Sequence, residues 1–295
     1  RAEVATSPSV KIRWRNRSPY FASVSATRWI SMASRPSPMM FDTRLPQPND
    51  AFHWAQVDGR PALVCRALQP FAAHFFTTRA WALGRPVSGR AASAWNEVAD
   101  AMHVAPDRLL RVHQVHGAAV VIHRRAASPV MGAPADVIVS DDGEAALAVQ
   151  AADCVPLLLV DRKSGAVAAS HAGWRGLAAG VPDVTIAALA REFGSRPADL
   201  FAAVGPSIGA CCYEVGVDVY RQFESAGFGP ALMTRWFLDR PHPTARNPSM
   251  DRLARSTRPD HWFFDSGAAA VDALVLAGIP RDQVFAAGLC TASHV

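Results

Sequence analysis

Ser170-His171-Ala172-Gly173-Trp174-Arg175-Gly176 is the stretch that decides the predicted fold, and an apolar run over residues 152–160 comes shortly before it. Residues 162–165 form a tight turn between the two, which predicts a β-hairpin. Both strands of this hairpin are apolar on both faces, as is typical of strands buried on two sides. The hairpin brings Cys154 to a loop beside the strand that ends at His171 and turns on glycine into a helix. The sequence thus predicts a histidine and a cysteine that meet at strand ends.

Strand and helix patterns are mixed along the rest of the chain. Short β-branched and aromatic runs predict strands over residues 61–68, 74–79, 109–116, 118–123, 135–140, 145–151, 200–204 and 283–289. Helical periodicity predicts helices over residues 93–103, 182–193, 216–226 and 267–277. Residues 80–90 and 227–260 hold many Pro and Gly without a period and are predicted as loops. This order favours an α/β (α+β) fold with mixed sheets over a doubly wound sheet.

The net charge of +5 is concentrated near the N-terminus. Residues 1–41 hold seven basic residues and one acidic residue, a net of +6, so the remaining 254 residues sum to −1. A nearly neutral body argues against nucleic-acid binding, which needs a clustered basic face. Half of the 295 residues are apolar, enough for a substantial core, but no run of about 18 apolar residues could span a membrane.

Residues 1–48 are left out of the predicted fold. They are rich in Arg, Ser and Pro, lack the apolar segment of a secretory signal, and resemble a transit peptide in composition alone. We expect a disordered or non-native extension ahead of a start at Met32, Met39 or Met40, followed by a folded domain over residues 49–295. The five scattered cysteines do not match the disulfide framework of a secreted protein, so we expect a cytoplasmic location.

Candidate reactive residues are few and far apart in sequence. His113 and His116 lie three apart on a predicted strand, so their side chains point to opposite faces. At most one of them can share a site with Cys154 and His171, and His116 is the better candidate because it abuts Gly117 at the strand end. Taken singly, each histidine is more often a hydrogen-bonded core or surface residue, and a lone cysteine is more often a small buried apolar residue.

If these residues converge, two chemistries are open. One thiolate and two neutral imidazoles suit a zinc ion that keeps a fourth position for a water, a phosphate or a substrate oxygen. Alternatively, Cys154 is a nucleophile with His171 as its base, as in thiol hydrolases. That second chemistry needs an oxyanion hole, which backbone N–H groups of the glycine-containing segments 173–176 and 205–209 could supply.

Three further features have both a functional and a structural interpretation. Arg79 and Arg175 are candidates for bidentate binding of an anion, and Arg175 at a glycine-rich helix entry suits phosphate, although surface ion pairing is the commoner role. The vicinal pair Cys211-Cys212 is a redox or metal element, or only packing, since neighbouring side chains usually diverge. Asp153 either orients a ligand or ties down its loop. Arg79, Arg175 and Cys212 are our candidates for binding substrate or phosphate.

Four motifs in order resemble the laccase-domain family, over about residues 55–295. They are Gln114-Val115-His116-Gly117, Ala152-Asp153-Cys154-Val155-Pro156, residues 171–176, and Gly205-Pro206-Ser207-Ile208-Gly209 with Cys212-Tyr213-Glu214-Val215. This family was first labelled multicopper polyphenol oxidase and is now regarded as zinc-containing purine nucleoside phosphorylases. The resemblance implies a single-domain, four-layer α/β/β/α sandwich, also likened to cysteine hydrolases such as the cytotoxic necrotising factor catalytic domain.

The resemblance also implies a chemistry. The residues matching His116, Cys154 and His171 would hold zinc in preference to copper and would act as the catalytic residues. The substrates would be phosphate with adenosine, inosine, guanosine or methylthioadenosine, and adenosine deamination would be a companion activity. No nucleic acid or membrane partner is implied, and the oligomeric state is left open.

Two departures from the family pattern stand out. After Thr77-Thr78-Arg79 the family usually continues with a Gly-Gly-Val-Ser type loop, whereas residues 80–92 differ here. The family also continues into an Arg-Arg-bearing strand beyond Cys290-Thr291-Ala292-Ser293-His294, so we expect the domain to be truncated at its C-terminus. Three rival hypotheses remain: a copper-dependent polyphenol oxidase, a Cys-His thiol hydrolase acting on amide bonds, and a non-enzymatic nucleoside-binding module.

Overall fold

The computed structural model describes residues 9–14, 45–83, 90–128, 131–243 and 258–293. Its strands are β1 (Ser9–Trp14), β2 (Phe52–Val57), β3 (Arg60–Cys65), β4 (Ala72–Thr77), β5 (Leu109–Arg111), β6 (Val120–His123), β7 (Val137–Ser140), β8 (Ala146–Gln150), β9 (Val155–Asp161), β10 (Val167–Ala172), β11 (Leu200–Val204), β12 (Glu214–Gly216), β13 (Phe237–Leu238), β14 (His261–Phe264) and β15 (Val284–Ala286). Its α-helices are α1 (Arg90–Ala101), α2 (Trp174–Ala178), α3 (Val181–Phe193), α4 (Val217–Ser225), α5 (Pro230–Trp236) and α6 (Ser266–Leu276). Among the described residues, no helix combines the length and the apolar character needed to cross a bilayer.

Two six-stranded sheets and a small three-stranded sheet make up the described strands. The first sheet has the order β2-β3-β4-β1-β8-β5 and the second has the order β15-β11-β9-β10-β7-β6. Most neighbours are antiparallel, but β5–β8, β6–β7 and β11–β15 are parallel pairs. Both large sheets are therefore mixed, as the sequence predicts.

The predicted central hairpin is confirmed. Strands β9 and β10 pair antiparallel, with Ala172 opposite Val155 at the end that carries the candidate residues. Every residue of both strands is buried, which agrees with apolar side chains on both faces. This hairpin lies in the middle of the second sheet, so residues at its ends are held by neighbours on either side.

Three hydrophobic clusters hold the fold together. One lies between α1 and the first sheet, with Val98 and Phe75 as members, and another joins the first sheet to the second through Leu147 and Leu158. The largest packs the other side of the second sheet against α3 and α6, with Leu189 as a member. The mixed-sheet, single-domain α/β fold is confirmed, and the count of four layers stays a prediction.

Several local predictions differ from the structure. Six residues of the excluded segment 1–48 form β1, which pairs with both β4 and β8 in the first sheet. The predicted strand 109–116 ends at Arg111, and the predicted loop 227–260 contains α5. Strand β2 had no predicted counterpart. In each case contacts with the rest of the fold, and not the local sequence pattern, determine the structure of a short segment. The domain boundary at residue 48 stays a prediction.

Candidate metal centre

The hairpin positions two of the three candidate ligands. His171 lies near the end of β10 and is buried, and Cys154 directly precedes β9 and is half-buried. Because the two strands are paired neighbours, their ends bring the imidazole and the thiol to the same edge of the sheet. Asp153, the residue before the cysteine, has a φ of +73°, a left-handed conformation that non-glycine residues adopt rarely.

The third candidate, His116, lies on a turn and not on the strand that the sequence predicts. Its φ is +60°, again left-handed, and its side chain is exposed. The turn is held by one buried carboxylate, Asp136, which accepts hydrogen bonds from the N–H groups of Val115 (3.2 Å), His116 (3.0 Å) and Gly117 (2.8 Å). Successive N–H groups that converge on one anion form a nest, which stabilises the strained backbone.

Asp136 also orients His171. Its Oδ1 accepts a hydrogen bond from Nδ1 of His171 at 2.8 Å, and its backbone carbonyl accepts one from the His171 N–H at 2.8 Å. The carboxylate therefore favours the tautomer with the proton on Nδ1 and leaves the lone pair on Nε2. Sequence reasoning missed Asp136, although a lone acid inside an apolar strand pattern signals a buried charge that needs partners.

The three candidate side chains converge. One ligand atom from each of His116, Cys154 and His171 lies within 4.8 Å of the other two. The two imidazole rings are almost perpendicular at 87°, with centroids 4.8 Å apart. His113, three residues before His116, is exposed and contacts Ala133 through its backbone N–H instead. Residues separated by 38 and 17 positions in sequence thus form one compact group.

Gly173 permits this close approach. A Cβ atom at residue 173 would lie 2.9 Å from Sγ of Cys154, closer than Cβ atoms approach other atoms in proteins, and 3.4 Å from Cδ2 of His116, near the limit of van der Waals contact. The φ of Gly173 is −68°, which any residue can adopt. Glycine is therefore needed here for space beside the ligands, and not for the backbone freedom that a turn would require.

Burial shifts the pKa values of His171 and Cys154. It lowers the pKa of His171, and His116 lowers it further, against the opposing effect of Asp136, so the imidazole is neutral at pH 7. Burial, with Asp153 and Asp136 adding to it, raises the pKa of the Cys154 thiol to about 11. A low-pKa thiolate, the mark of a cysteine nucleophile, is thus not what these surroundings produce.

Comparisons with known proteins identify the family. The family described as multi-copper polyphenol oxidoreductase laccase matches residues 88–295. The chain belongs to this family. Residues 88–295 include all three candidate ligands, Asp136 and Gly173.

The curated relatives of the chain are named purine nucleoside phosphorylases and not laccases. The chain is 37% identical to a purine nucleoside phosphorylase of Deinococcus radiodurans over 57% of this chain and 67% of the relative. It is 34% identical to a purine nucleoside phosphorylase of Xylella fastidiosa over 64% of this chain and 63% of the relative. Among these and a relative from Bacteroides thetaiotaomicron, the chain spans between about half and two thirds of the relative's length.

Solved structures share the fold. The crystal structure of YfiH from Bacillus licheniformis matches 83% of this chain and 91% of its own, with a TM-score of 0.68 and 22% identity. The structure of YlmD from Geobacillus stearothermophilus matches 69% of this chain and 71% of its own, with a TM-score of 0.56 and 25% identity.

The residues present fit a zinc ion. One sulfur and two imidazole nitrogens are ligands that zinc prefers, and three protein ligands leave a fourth position open. The carboxylate–histidine contact between Asp136 and His171 is the arrangement that usually orients a metal-binding imidazole. Bound to a divalent cation, the Cys154 thiol would lose its proton despite its raised pKa.

The two arginines predicted to bind an anion, Arg175 and Arg79, lie on different elements of the fold. Arg175 is exposed on the first turn of α2, two residues after Gly173, and its guanidinium lies 4.2 Å from the centroid of the Trp174 ring. Arg79 is exposed in a short 3-10 turn after β4. Tyr213 was not predicted as a site residue, and burial together with the nearby Cys154 raises its pKa to about 12. The roles of Arg79 and Arg175 stay predictions.

Cys212 lies in a second group, with Cys211 and Cys290, instead of with the three candidate ligands. Burial raises the pKa of Cys211 to about 12, with Cys290 adding to it. At Cys290 burial also acts to raise the pKa, but hydrogen bonds from Ser293, the Gly209 N–H and Cys211 outweigh it and lower the pKa. A role for Cys212 in binding substrate or phosphate stays a prediction.

Asp153 ties down the loop that carries Cys154. Its backbone carbonyl accepts a hydrogen bond from the Ile208 N–H at 2.8 Å, and its Oδ1 accepts one from the Thr291 hydroxyl at 2.6 Å. Of the two roles considered for this residue, the structure supports the loop anchor. The contact also connects the candidate centre to the segments around residues 208 and 291.

Proposed function

We propose that the chain is a zinc-dependent purine nucleoside phosphorylase, with His116, Cys154 and His171 as ligands and catalytic residues. The observation that carries the proposal is the convergence of one thiol and two imidazoles within 4.8 Å, with one imidazole held by a buried carboxylate. The names of the relatives support the activity, and the chemistry of the donor set supports the metal.

In the reaction, an oxygen of inorganic phosphate forms a bond to C1′ of the ribosyl group. The bond from C1′ to the purine nitrogen breaks, the purine leaves with the electron pair, and it takes up a proton from solvent. Positive charge builds on the ribosyl group, so catalysis depends on holding the phosphate dianion against C1′. Bound zinc would supply a Lewis acid that helps to hold an anion.

The side chains around the ligands have separate tasks. Asp136 keeps the proton of His171 on Nδ1, which orients that imidazole, and it fixes the backbone turn that carries His116. Arg175 presents an exposed guanidinium two residues from Gly173, where it would bind phosphate through two oxygens. Arg79 is proposed as a second phosphate contact on the basis of its match to the family pattern.

The proposed substrates are adenosine, inosine, guanosine and methylthioadenosine. All four carry a purine on a ribosyl carbon, so one mode of phosphate attack serves them all. The proposal includes deamination of adenosine, in which an activated water replaces the exocyclic amine and ammonia is released. One open-coordination metal site is sufficient for both reactions.

The test is phosphate-dependent release of hypoxanthine from inosine, followed together with the zinc content of the purified protein. We expect Cys154→Ala to lose the bound zinc at this centre and at least about 1000-fold in kcat/KM, because a catalytic ligand is gone. Cys65→Ala is the matched control, since Cys65 is buried in the core cluster between the two large sheets and belongs to neither cysteine-containing group. Nucleoside binding without turnover in the wild type would reject the enzyme in favour of a binding module.

Polyphenol oxidation is the second candidate, because the matched family is described by that activity. Multicopper oxidation needs several copper centres, which are rich in histidine ligands. The described residues form two groups that could bind a metal, and of these only the group of His116, Cys154 and His171 contains histidine. We expect no phenol oxidation by the zinc-loaded protein. A thiol hydrolase would instead stay active after zinc removal and be inactivated by alkylation, which the raised pKa of Cys154 disfavours.

A further inference from the structure

Three sulfur atoms lie close together in a part of the molecule that has no role in the proposed reaction. The Sγ atoms of Cys211, Cys212 and Cys290 all lie within 4.8 Å of one another. No disulfide joins any two of them in the described part of the chain. Two of these residues are neighbours in sequence, and the third is more than 70 residues away. We call this group the three-thiol cluster.

Backbone contacts connect the two segments, and Sγ of Cys290 adds to them by accepting a hydrogen bond from the Gly209 N–H at 3.3 Å. Residues 207 and 290 form an isolated parallel bridge, in which the Ser207 N–H donates to the Leu289 carbonyl at 3.2 Å and the Thr291 N–H donates to the Ser207 carbonyl at 3.1 Å. On the other side, the Cys212 N–H donates to the Gly209 carbonyl at 2.9 Å and closes a turn. The cysteines are thus presented by a preformed backbone.

The cluster has the access that an incoming ion requires. Cys212 is exposed, Cys211 is half-buried and Cys290 is buried, so the three thiols run from the surface inwards. Cys211 and Cys290 also line a cavity of about 530 Å³. A purely structural packing role would not require a solvent-exposed sulfur, because an exposed thiol gains nothing from burial of apolar surface.

The spacing is close to that of a thiolate metal site. Zinc binds cysteine sulfur at about 2.3 Å, which places the sulfurs of a tetrahedral site about 3.8 Å apart. Rotation of the thiols about their Cα–Cβ bonds would close the remaining gap of about 1 Å from the 4.8 Å limit. Soft sulfur ligands select a thiophilic cation over calcium or magnesium.

We propose that Cys211, Cys212 and Cys290 bind one zinc ion as a second metal site, separate from the candidate catalytic centre. Each thiol that becomes a ligand releases its proton to solvent, and a water completes the tetrahedron. The ion would tie the turn after β11 to the C-terminal segment. Both segments contact Asp153, through Ile208 and Thr291, so the second site also supports the loop of Cys154.

The test uses Cd²⁺ as a probe of thiolate ligands in the reduced Cys154→Ala protein. That background removes the only sulfur of the catalytic centre, so thiolate-to-cadmium absorption reports on other cysteines. We expect one equivalent of Cd²⁺ to saturate the signal. Adding Cys212→Ser should lower the signal by about one third, because one of three thiolates is lost, and weaken binding at least about tenfold.

Cys65→Ala in the same background is the matched control and should leave the titration unchanged, because Cys65 lies in the core outside the cluster. Cys212 is exposed, so Cys212→Ser should fold normally, as circular dichroism would check. Absence of a saturable one-equivalent step, or a step of full amplitude in the Cys212→Ser protein, would overturn the proposal. The titration needs no catalytic activity, so its outcome is independent of the proposed phosphorolysis.

Discussion

The four-residue strand β7 has a buried histidine–aspartate pair at each end, and the two pairs differ in what surrounds the carboxylate. At the start of the strand, Asp136 bonds His171 of the neighbouring β10 at 2.8 Å. Just beyond its end, Asp142 bonds His123 of β6, its neighbour on the other side, at 3.0 Å. Both aspartates and both histidines are almost fully buried.

The Asp142 pair contains its own cation. Arg108 forms an ion pair with the same carboxylate oxygen that bonds His123, and the Glu144 N–H donates to the other oxygen. Among the described residues, Asp136 has no arginine or lysine partner and accepts instead from three backbone N–H groups and His171. Asp142 thus has a charged partner within the fold, although Nδ1 of His123 has no hydrogen-bond partner among the described residues. Asp136 instead directs the His171 imidazole towards Cys154 and His116. We infer that the Asp142 pair serves stability and that the Asp136 pair orients a ligand of the proposed zinc centre.

The largest effect that would test this contrast is on metal affinity. Asp136→Asn should weaken zinc binding about 100-fold, because the amide no longer enforces the His171 tautomer or neutralises the nest of N–H groups. Asp142→Asn should leave zinc affinity unchanged. Competition with a zinc chelator measures both. Equal losses in the two variants would show that the pairs do not differ in function.

The next largest expected effect is on the free energy of unfolding, and it concerns the pair of Asp142 and His123. Asp142→Asn should lower the free energy of unfolding by about 2 kcal/mol, below the range for a fully buried ion pair because Arg108 is 24% exposed. Urea unfolding of the metal-free proteins is the measurement. A smaller loss for Asp142→Asn than for Asp136→Asn would contradict the structural role of the Arg108–Asp142–His123 group.

A methyl group beside the ligands should have a smaller effect. Gly173→Ala should weaken zinc binding about tenfold, because its Cβ would displace Sγ of Cys154. Gly229→Ala is the matched control: Gly229 is extended like Gly173, with a φ of −71°, and an added Cβ there meets nothing within 4 Å. Unchanged affinity in Gly173→Ala would mean that the ligands move freely and are not preorganised.

The smallest effect concerns pH. Burial alone would raise the pKa of Asp142, but the Glu144 N–H, His123 and Arg108 outweigh it and lower the pKa. A lowered carboxyl pKa stabilises the folded state above the unfolded-state pKa of about 3.9 and loses that effect as pH falls through the folded-state value. The stability difference between wild type and Asp142→Asn should therefore be constant near neutral pH and shrink below about pH 4. A difference that grows in acid would contradict this assignment.

Long apolar patterns allowed much of the fold to be predicted from sequence. The β9–β10 hairpin and α3 follow their own periodicity, and the prediction of each agrees with the structure to within about two residues. The predictions of short elements did not agree with the structure, because tertiary contacts determine whether such elements form. Strand β5 has only three residues, and its apparent continuation to His116 is a turn that Asp136 holds by hydrogen bonds. Helix α5 begins at Pro230 within a segment without clear periodicity.

The candidate centre, like the fold, could be predicted only in part from the sequence. The residue types of His116, Cys154 and His171 could be proposed from motifs, but their convergence depends on strand pairing across the second sheet. Asp136 was passed over because its apolar neighbours make it look like part of an ordinary strand. The space that Gly173 leaves for Sγ of Cys154 was not predicted either, since that contact arises between residues that are distant in sequence.

The left-handed turn at His116 limits how the centre could be re-engineered. Besides histidine and glycine, asparagine and aspartate are the residues that most readily adopt such a backbone. An oxygen ligand could therefore replace the imidazole at this position without rebuilding the turn, whereas a cysteine would have to work against it. Altered metal selectivity at residue 116 is accordingly easier to obtain in the direction of harder cations, such as manganese, than of softer ones.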